Sequence, residues 1–374
     1  MLSRRGFIGG TAAAVGALQL VQPTGALAAN LFGPAAGIAK LNANENPYGP
    51  SAKALRAMAE ASAKGAYYVG PSVGRLQDMI LERFSLKKEH LTLSAGSSGA
   101  LADLARAKSS TGKILGTDLF WDTTTRMALR QGGELVRTPK RADLAVDLDA
   151  LYAAITPDTS LVHICNPNNP TAMMLPHETL RDFCIKASKK CTVLIDEAYN
   201  EITDDPENNS VVSLIREGHD IVVARTFSKI YGLAGMRVGY MMALPETTEL
   251  IQSYGLGNYT LNQAGVAAAV ASFDDEDFIR FSRDKLYESR EMIVKAVYSE
   301  GLSAAPSQAS FVFVNLGDLN AELLRAELAK RGVLIRGIYQ DYTTWSRVST
   351  GLTQDVAKYV AELPAALAAV RAMS

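Results

Sequence analysis

Three short stretches carry side chains that could do chemistry, and each follows an apolar run. Asn166-Pro167-Asn168-Asn169-Pro170-Thr171 comes after Leu161–Cys165, and Asp196-Glu197-Ala198-Tyr199 comes after Thr192–Ile195. Thr226-Phe227-Ser228-Lys229, with a glycine-rich continuation to Arg237, comes after Ile221–Ala224. A lysine at the end of a buried strand costs free energy unless its amine reaches solvent, is paired, loses its proton or is used covalently. An aspartate in the same position can cap a helix, or it can hold a fixed negative charge in a dry site. A fourth stretch, Ser94-Ala95-Gly96-Ser97-Ser98-Gly99, places small residues at a helix start, where outward-pointing N–H groups favour a phosphate. Each stretch alone has a plain structural reading, and chemistry requires that the fold bring them together.

The elements around them alternate. Strands are expected at Leu91–Leu93, Lys113–Gly116, Glu134–Arg137, Leu161–Cys165, Thr192–Ile195, Ile221–Ala224 and Val238–Met242. Helices are expected at Ser51–Ala63, Leu76–Phe84, Ala100–Lys108, up to about Gln131, His177–Lys190, Glu246–Leu256 and Asn262–Ser272. Such alternation implies βαβ units and a mainly parallel sheet, in which ligands bind beyond the carboxyl ends of the strands. Asn169, Asp196 and Lys229 each fall just past such an end. A long amphipathic helix over Phe278–Ser299 leads into a smaller α+β unit. Its strands are expected near Phe311–Val314, Val333–Arg336 and Trp345–Val348, and its helices near Asn320–Arg331 and Thr353–Met373.

Composition narrows the class. The 374 residues suffice for two domains. With 48% hydrophobic and 21% charged residues and a net charge of -1, the balance is that of a globular protein and gives no basic excess for nucleic acid. Three cysteines without paired spacing and 4 histidines suggest neither a disulfide framework nor a metal centre. At the N-terminus, Arg4-Arg5, an apolar run over Gly9–Val21 and Ala26-Leu27-Ala28 resemble a twin-arginine export signal over residues 1–29. The expected address is therefore periplasmic or secreted, or cytoplasmic if the signal does not function.

In register, the three motifs resemble fold-type I pyridoxal-phosphate enzymes, specifically class I/II aminotransferases and their histidinol-phosphate branch. The resemblance covers almost the whole chain after the signal. It implies a large cofactor domain over residues 63–272, a small domain over 273–374, and a segment over 30–62 that joins the small domain. By resemblance, Lys229 forms the internal aldimine and then shuttles the Cα proton. Asp196 faces the pyridine nitrogen, and Tyr199 and Asn169 hydrogen-bond the ring's phenolic oxygen. Gly96, Ser97, Ser228 and Arg237 match the phosphate positions. Trp121, or Phe120 beside it, matches the aromatic over the ring. Tyr68, or Tyr67, matches a tyrosine that reaches the other subunit's phosphate, implying a homodimer with shared sites. Arg347 matches the clamp on a substrate carboxylate, Arg336 a position used for a substrate anion, and Asn44 the entrance.

The implied activity is transfer of an amino group between an amino acid, or a histidinol-phosphate-like amine, and a 2-oxo acid. A decarboxylase, lyase or oxidase of an amino acid is the alternative on the same scaffold. Three departures from the family pattern stand out. Ala172 replaces a glycine after Asn-Pro-Thr, Ser98-Gly99 replaces an acidic pair, and an export signal fits poorly with cytoplasmic histidine biosynthesis.

Overall fold

The computed structural model describes residues 32–130 and 132–373; the twin-arginine segment lies outside them. Residues 32–38 form a turn-rich stretch with Gly33 and Gly37 at positive φ and the Ile38 N–H donating to the Ala35 carbonyl. From Ala39 onward the chain folds as one unit.

Its first part contains β1 (Ala39–Lys40), α1 (Ala52–Ser62), α2 (Pro71–Phe84), β2 (Leu91–Ser94), α3 (Ser97–Ser109), β3 (Lys113–Thr117), α4 (Thr123–Leu129) and β4 (Leu135–Thr138). Next come α5 (Leu148–Ala153), β5 (Thr159–Cys165), α6 (His177–Ala187), β6 (Thr192–Asp196), α7 (Ser213–Arg216), β7 (Ile221–Thr226) and β8 (Gly239–Met242). The remainder is α8 (Pro245–Ser253), α9 (Gln263–Phe273), α10 (Glu276–Ser299), β9 (Ser303–Ala304), β10 (Phe311–Asn315), α11 (Ala321–Lys330), β11 (Val333–Leu334), β12 (Trp345–Ser349) and α12 (Thr353–Arg371).

Seven strands form the central sheet in the order β2-β8-β7-β6-β5-β3-β4. Neighbours from β4 to β7 pair parallel, whereas β8 runs antiparallel to both β7 and β2. The strands that carry the motifs are buried on both faces, which is why they read as continuous apolar runs. Their side chains still alternate. Val162, Ile164, Val193, Ile195 and Val223 enter one core, while Leu161, Leu194, Val222 and Ala224 enter a second on the opposite face.

Local signals explain several helix starts. Ser51 caps α1, its side chain accepting the Ala54 N–H at 3.2 Å. Helix α2 starts at Pro71, five residues before the expected Leu76, because proline is pre-set for the first helical position. Helix α3 starts at Ser97 rather than Ala100, with Gly96 as its N-cap.

Beyond α10, the antiparallel sheet β12-β10-β9 and helices α11 and α12 enclose a further core. Strand β1 pairs parallel with β11, placing Ala39 and Leu41 in that core, whereas Ala54 of α1 belongs to the core of the large sheet. The strand expected over Val333–Arg336 stops at Leu334. Arg336 keeps only an isolated bridge to Arg347, its N–H donating to the Arg347 carbonyl at 3.0 Å.

Candidate active site

A cavity of ≈ 690 Å³ opens beyond the carboxyl ends of β5, β6 and β7, where a parallel sheet is expected to bind ligands. Lys229, Asp196, Tyr199, Asn169, Ser228 and Arg237 all line it. The three motifs therefore meet in one place.

One end is built for an anion. The N-cap Gly96 has no side chain to satisfy the first N–H groups of α3, and Ser97 and Ser98 face the cavity. Arg237 donates to Ser98 Oγ at 2.9 Å and to Ser228 Oγ at 3.3 Å. Gly96 itself stands behind this group. Its φ of +69° belongs to the left-handed region, and a Cβ there would lie 2.1 Å from Arg237 Nη2. Gly239 on β8 is equally constrained, since its Cβ would meet the Ser97 backbone nitrogen at 2.1 Å.

In the middle, the Lys229 amine donates to the Asn44 carbonyl at 3.1 Å. It has no ion-pair partner among the described residues. Burial, assisted by the nearby Arg347 charge, lowers its pKa to about 8. Asp196 is buried, and burial raises its pKa to about 6. Its Oδ1 accepts the Ala198 N–H at 3.2 Å, so a cationic group in the cavity would meet unspent negative charge. The Tyr199 oxygen accepts N–H bonds from Asn44 Nδ2 at 3.0 Å and Asn169 Nδ2 at 3.3 Å, and burial pushes this phenol up. Burial likewise pushes up the thiol of Cys165 in the cavity wall, which leaves it a poor nucleophile.

At the other end, Arg347 is only 6% exposed. It donates to Asn169 Oδ1 at 2.8 Å and to the Asn42 carbonyl at 3.3 Å. Its Nε is buried without a partner, and burial lowers its pKa. No carboxylate among the described residues pairs with it. Arg336 also lines the cavity, with its guanidinium 5.5 Å from the Tyr339 ring centroid.

Phe120 and Trp121 both line the cavity, but the Phe120 ring is engaged edge-to-face with His163 and lies beneath Arg137. Trp121 makes no ring–ring contact among the described residues. Tyr68 is 98% exposed and lies outside the cavity of its own chain, as does Tyr67. Sequence reasoning missed Ser98, Thr226, Tyr339 and Arg126 in the wall. Thr226 had a signal, since its hydroxyl sits two residues before Ser228 and accepts the Ser228 N–H at 3.1 Å.

Pyridoxal 5'-phosphate suits this donor set. Orphan helix N–H groups and Arg237 would fit its phosphate, buried Asp196 its ring nitrogen, and the amine of Lys229, with its lowered pKa, its aldehyde.

Residues 36–363 match the family model for aminotransferase class I and II. The chain is 35% identical to a histidinol-phosphate aminotransferase 1 of Cupriavidus pinatubonensis over 335 residues, covering 89% of each protein. It is 32% identical to an aromatic amino acid aminotransferase of Thermobifida fusca, covering 87% of this chain and 89% of that one. Among solved structures, the histidinol-phosphate aminotransferase of Sinorhizobium meliloti in complex with pyridoxal-5'-phosphate superposes with a TM-score of 0.81 at 28% identity, covering 89% and 91% of the two chains. This chain belongs to the class I and II aminotransferases. It is an enzyme of the amino-group-transferring type, and pyridoxal 5'-phosphate is its cofactor.

Proposed function

We propose that the enzyme exchanges an amino group between a 2-amino acid, or an amine of the histidinol-phosphate kind, and a 2-oxo acid, with Lys229, Asp196 and Arg347 in the leading roles. The observation that carries this reading is the buried Arg347 guanidinium. It has an unpartnered Nε and shares a cavity with Lys229 and Asp196. A buried cation without a counter-ion is costly, and a substrate carboxylate would supply the missing charge in a bidentate pair. The exposed Arg336 offers a second anion site in the same cavity, which suits a substrate with another acidic group.

When bound, pyridoxal 5'-phosphate supplies an aldehyde for an amine to condense with and a ring that takes up electron density from the substrate Cα. The protein does the rest. Ser97, Ser98, Ser228 and Arg237 would hold the phosphate. Asp196 would set a negative charge toward the ring nitrogen. Tyr199 and Asn169 would direct polar hydrogens at the ring oxygen, and Trp121 would pack against the ring. Lys229 would hold the aldehyde end, and as a free amine it can hold or move a proton at Nζ, because burial places its pKa at about 8.

Tyr67, Tyr68, Leu256 and Tyr259 are large and exposed. The Tyr67 carbonyl accepts from Gln263 Nε2 at 3.0 Å, so this loop is tied to the start of α9. These features support a homodimer in which Tyr68 enters the partner's site. Export through the twin-arginine segment is the reading of residues 1–29. A reporter fused behind them should lose export when Arg4 and Arg5 become Lys.

The activity is tested by mixing holoenzyme with single amino acids. Formation of pyridoxamine phosphate and the matching 2-oxo acid is expected. Release of carbon dioxide or uptake of oxygen without it would replace this reading with a decarboxylase or oxidase.

A further inference from the structure

The Leu41–Glu45 segment does more than line the way in. Asn44 is buried and makes three contacts at once. Its main-chain carbonyl accepts from Lys229 Nζ at 3.1 Å, its Nδ2 donates to Tyr199 Oη at 3.0 Å, and its Oδ1 accepts from Ser349 Oγ at 2.6 Å. Asn169 adds a second N–H to the same phenol oxygen at 3.3 Å. A phenol oxygen has two acceptor sites and one proton to give. With both acceptor sites taken by amides, the only polar freedom left to Tyr199 is the direction of its O–H.

We propose that Asn44 is a positioning residue. By filling one acceptor site of Tyr199, it commits the phenol to act as a donor into the cavity, and it links that commitment to Ser349, two residues from Arg347. This inference rests on the function proposed above, in which Tyr199 faces the bound cofactor.

Without Asn44 the phenol regains an open acceptor site, and its donation into the cavity weakens. Donation stabilises negative charge beside the lysine-held nitrogen. Weaker donation therefore lets that nitrogen keep its proton to higher pH. The charged and titratable groups around Tyr199 and Lys229 are Asp196 on β6, Cys165 at the end of β5, Arg347 on β12, Arg237 before β8, and Glu45 beside Asn44. None of them is changed by replacing Asn44.

The test is a pH titration of the visible absorbance band of resting holoenzyme. Asn44→Leu, which keeps the volume, should raise the apparent pKa by a few tenths of a unit, roughly the share of a hydrogen bond's worth that polarisation of the Tyr199 donor passes on. Asn44→Ser, too short to reach the phenol, should shift it in the same direction. In a Tyr199→Phe background both substitutions should leave the pKa where Tyr199→Phe alone puts it. A wild-type band with unmoved variants, or with the same shift in both backgrounds, overturns the role of Asn44 alone. Absence of the band from wild type overturns this inference together with the reading of Lys229.

Discussion

Lys229 and Asp196 sit where charge is least welcome, and the cost can be measured. Burial brings the lysine from 10.5 to about 8, so between these values the unfolded chain binds a proton that the folded chain has lost. The charged amine thus destabilises the cofactor-free fold fully below pH 8, and the penalty fades as pH rises toward 10.5. Two and a half units correspond to on the order of 3 kcal/mol. Lys229→Met should therefore unfold at higher urea concentration than the wild-type protein at neutral pH, with the difference closing in alkali. Asp196 behaves the opposite way, because its raised pKa favours the fold at low pH and withdraws that support as pH climbs from 3.8 to about 6. At this scale the sequence was readable where residue type alone carries the chemistry. Asp196 ends its strand and Lys229 follows its own in plain view, and Arg237 closes the glycine-rich continuation before β8. Asn44 was placed at an entrance because nothing local shows that its amide spans to Tyr199, 155 positions away. Ala172 stands at φ +61° and is fully buried. Its N–H reaches the Asn168 carbonyl and its own carbonyl accepts from Gln308, so the turn closes despite the missing glycine.

The elements that hold these residues are locked to one another by contacts with no slack. Strand β8 presses on the start of α3 so closely that Gly239→Ala puts a methyl carbon against the Ser97 nitrogen. The helix start must retreat from the phosphate site, and cofactor affinity should fall at least tenfold, read by equilibrium dialysis. Under the β6 and β7 ends, buried Arg225 pairs with Glu197 at 2.6 Å and Glu201 at 2.8 Å. Arg225→Met leaves two acids underneath Asp196 and Lys229 without their cation, which should cost about 3–5 kcal/mol in denaturant unfolding. Strand periodicity made the motif strands easy to find from sequence, because burial on both faces demands continuous apolar runs. Their order and the reversal of β8 were not legible, since a strand's own residues do not name its neighbour's direction. Strand β1, two residues long, offers no pattern at all. Pro71 misled in a simple way, for Gly-Pro reads as a turn although proline also opens helices.

For the whole molecule, the proposed assembly turns on Tyr68. A tyrosine exposed to 98% stabilises nothing within its own chain. If it completes a partner's site, Tyr68→Ala should leave monomer stability unchanged, while the holoenzyme loses cofactor faster on dilution and light scattering still reports a dimer. Composition foretold a globular protein and nothing of assembly, because overall charge and hydropathy carry no mark of which surface a second copy would meet.

The bonds from Arg347 to Asn42 and from Ser349 to Asn44 each span 305 positions. During synthesis, Lys229 and Asp196 leave the ribosome well before β12 exists. A partly made chain thus carries the lysine with neither Arg347 nor the Ser349 bond to Asn44 in place. Closing a loop this long carries an entropic cost that grows with its length, so the Arg347 end of the cavity is complete only once β12 and the Leu41–Glu45 segment have met.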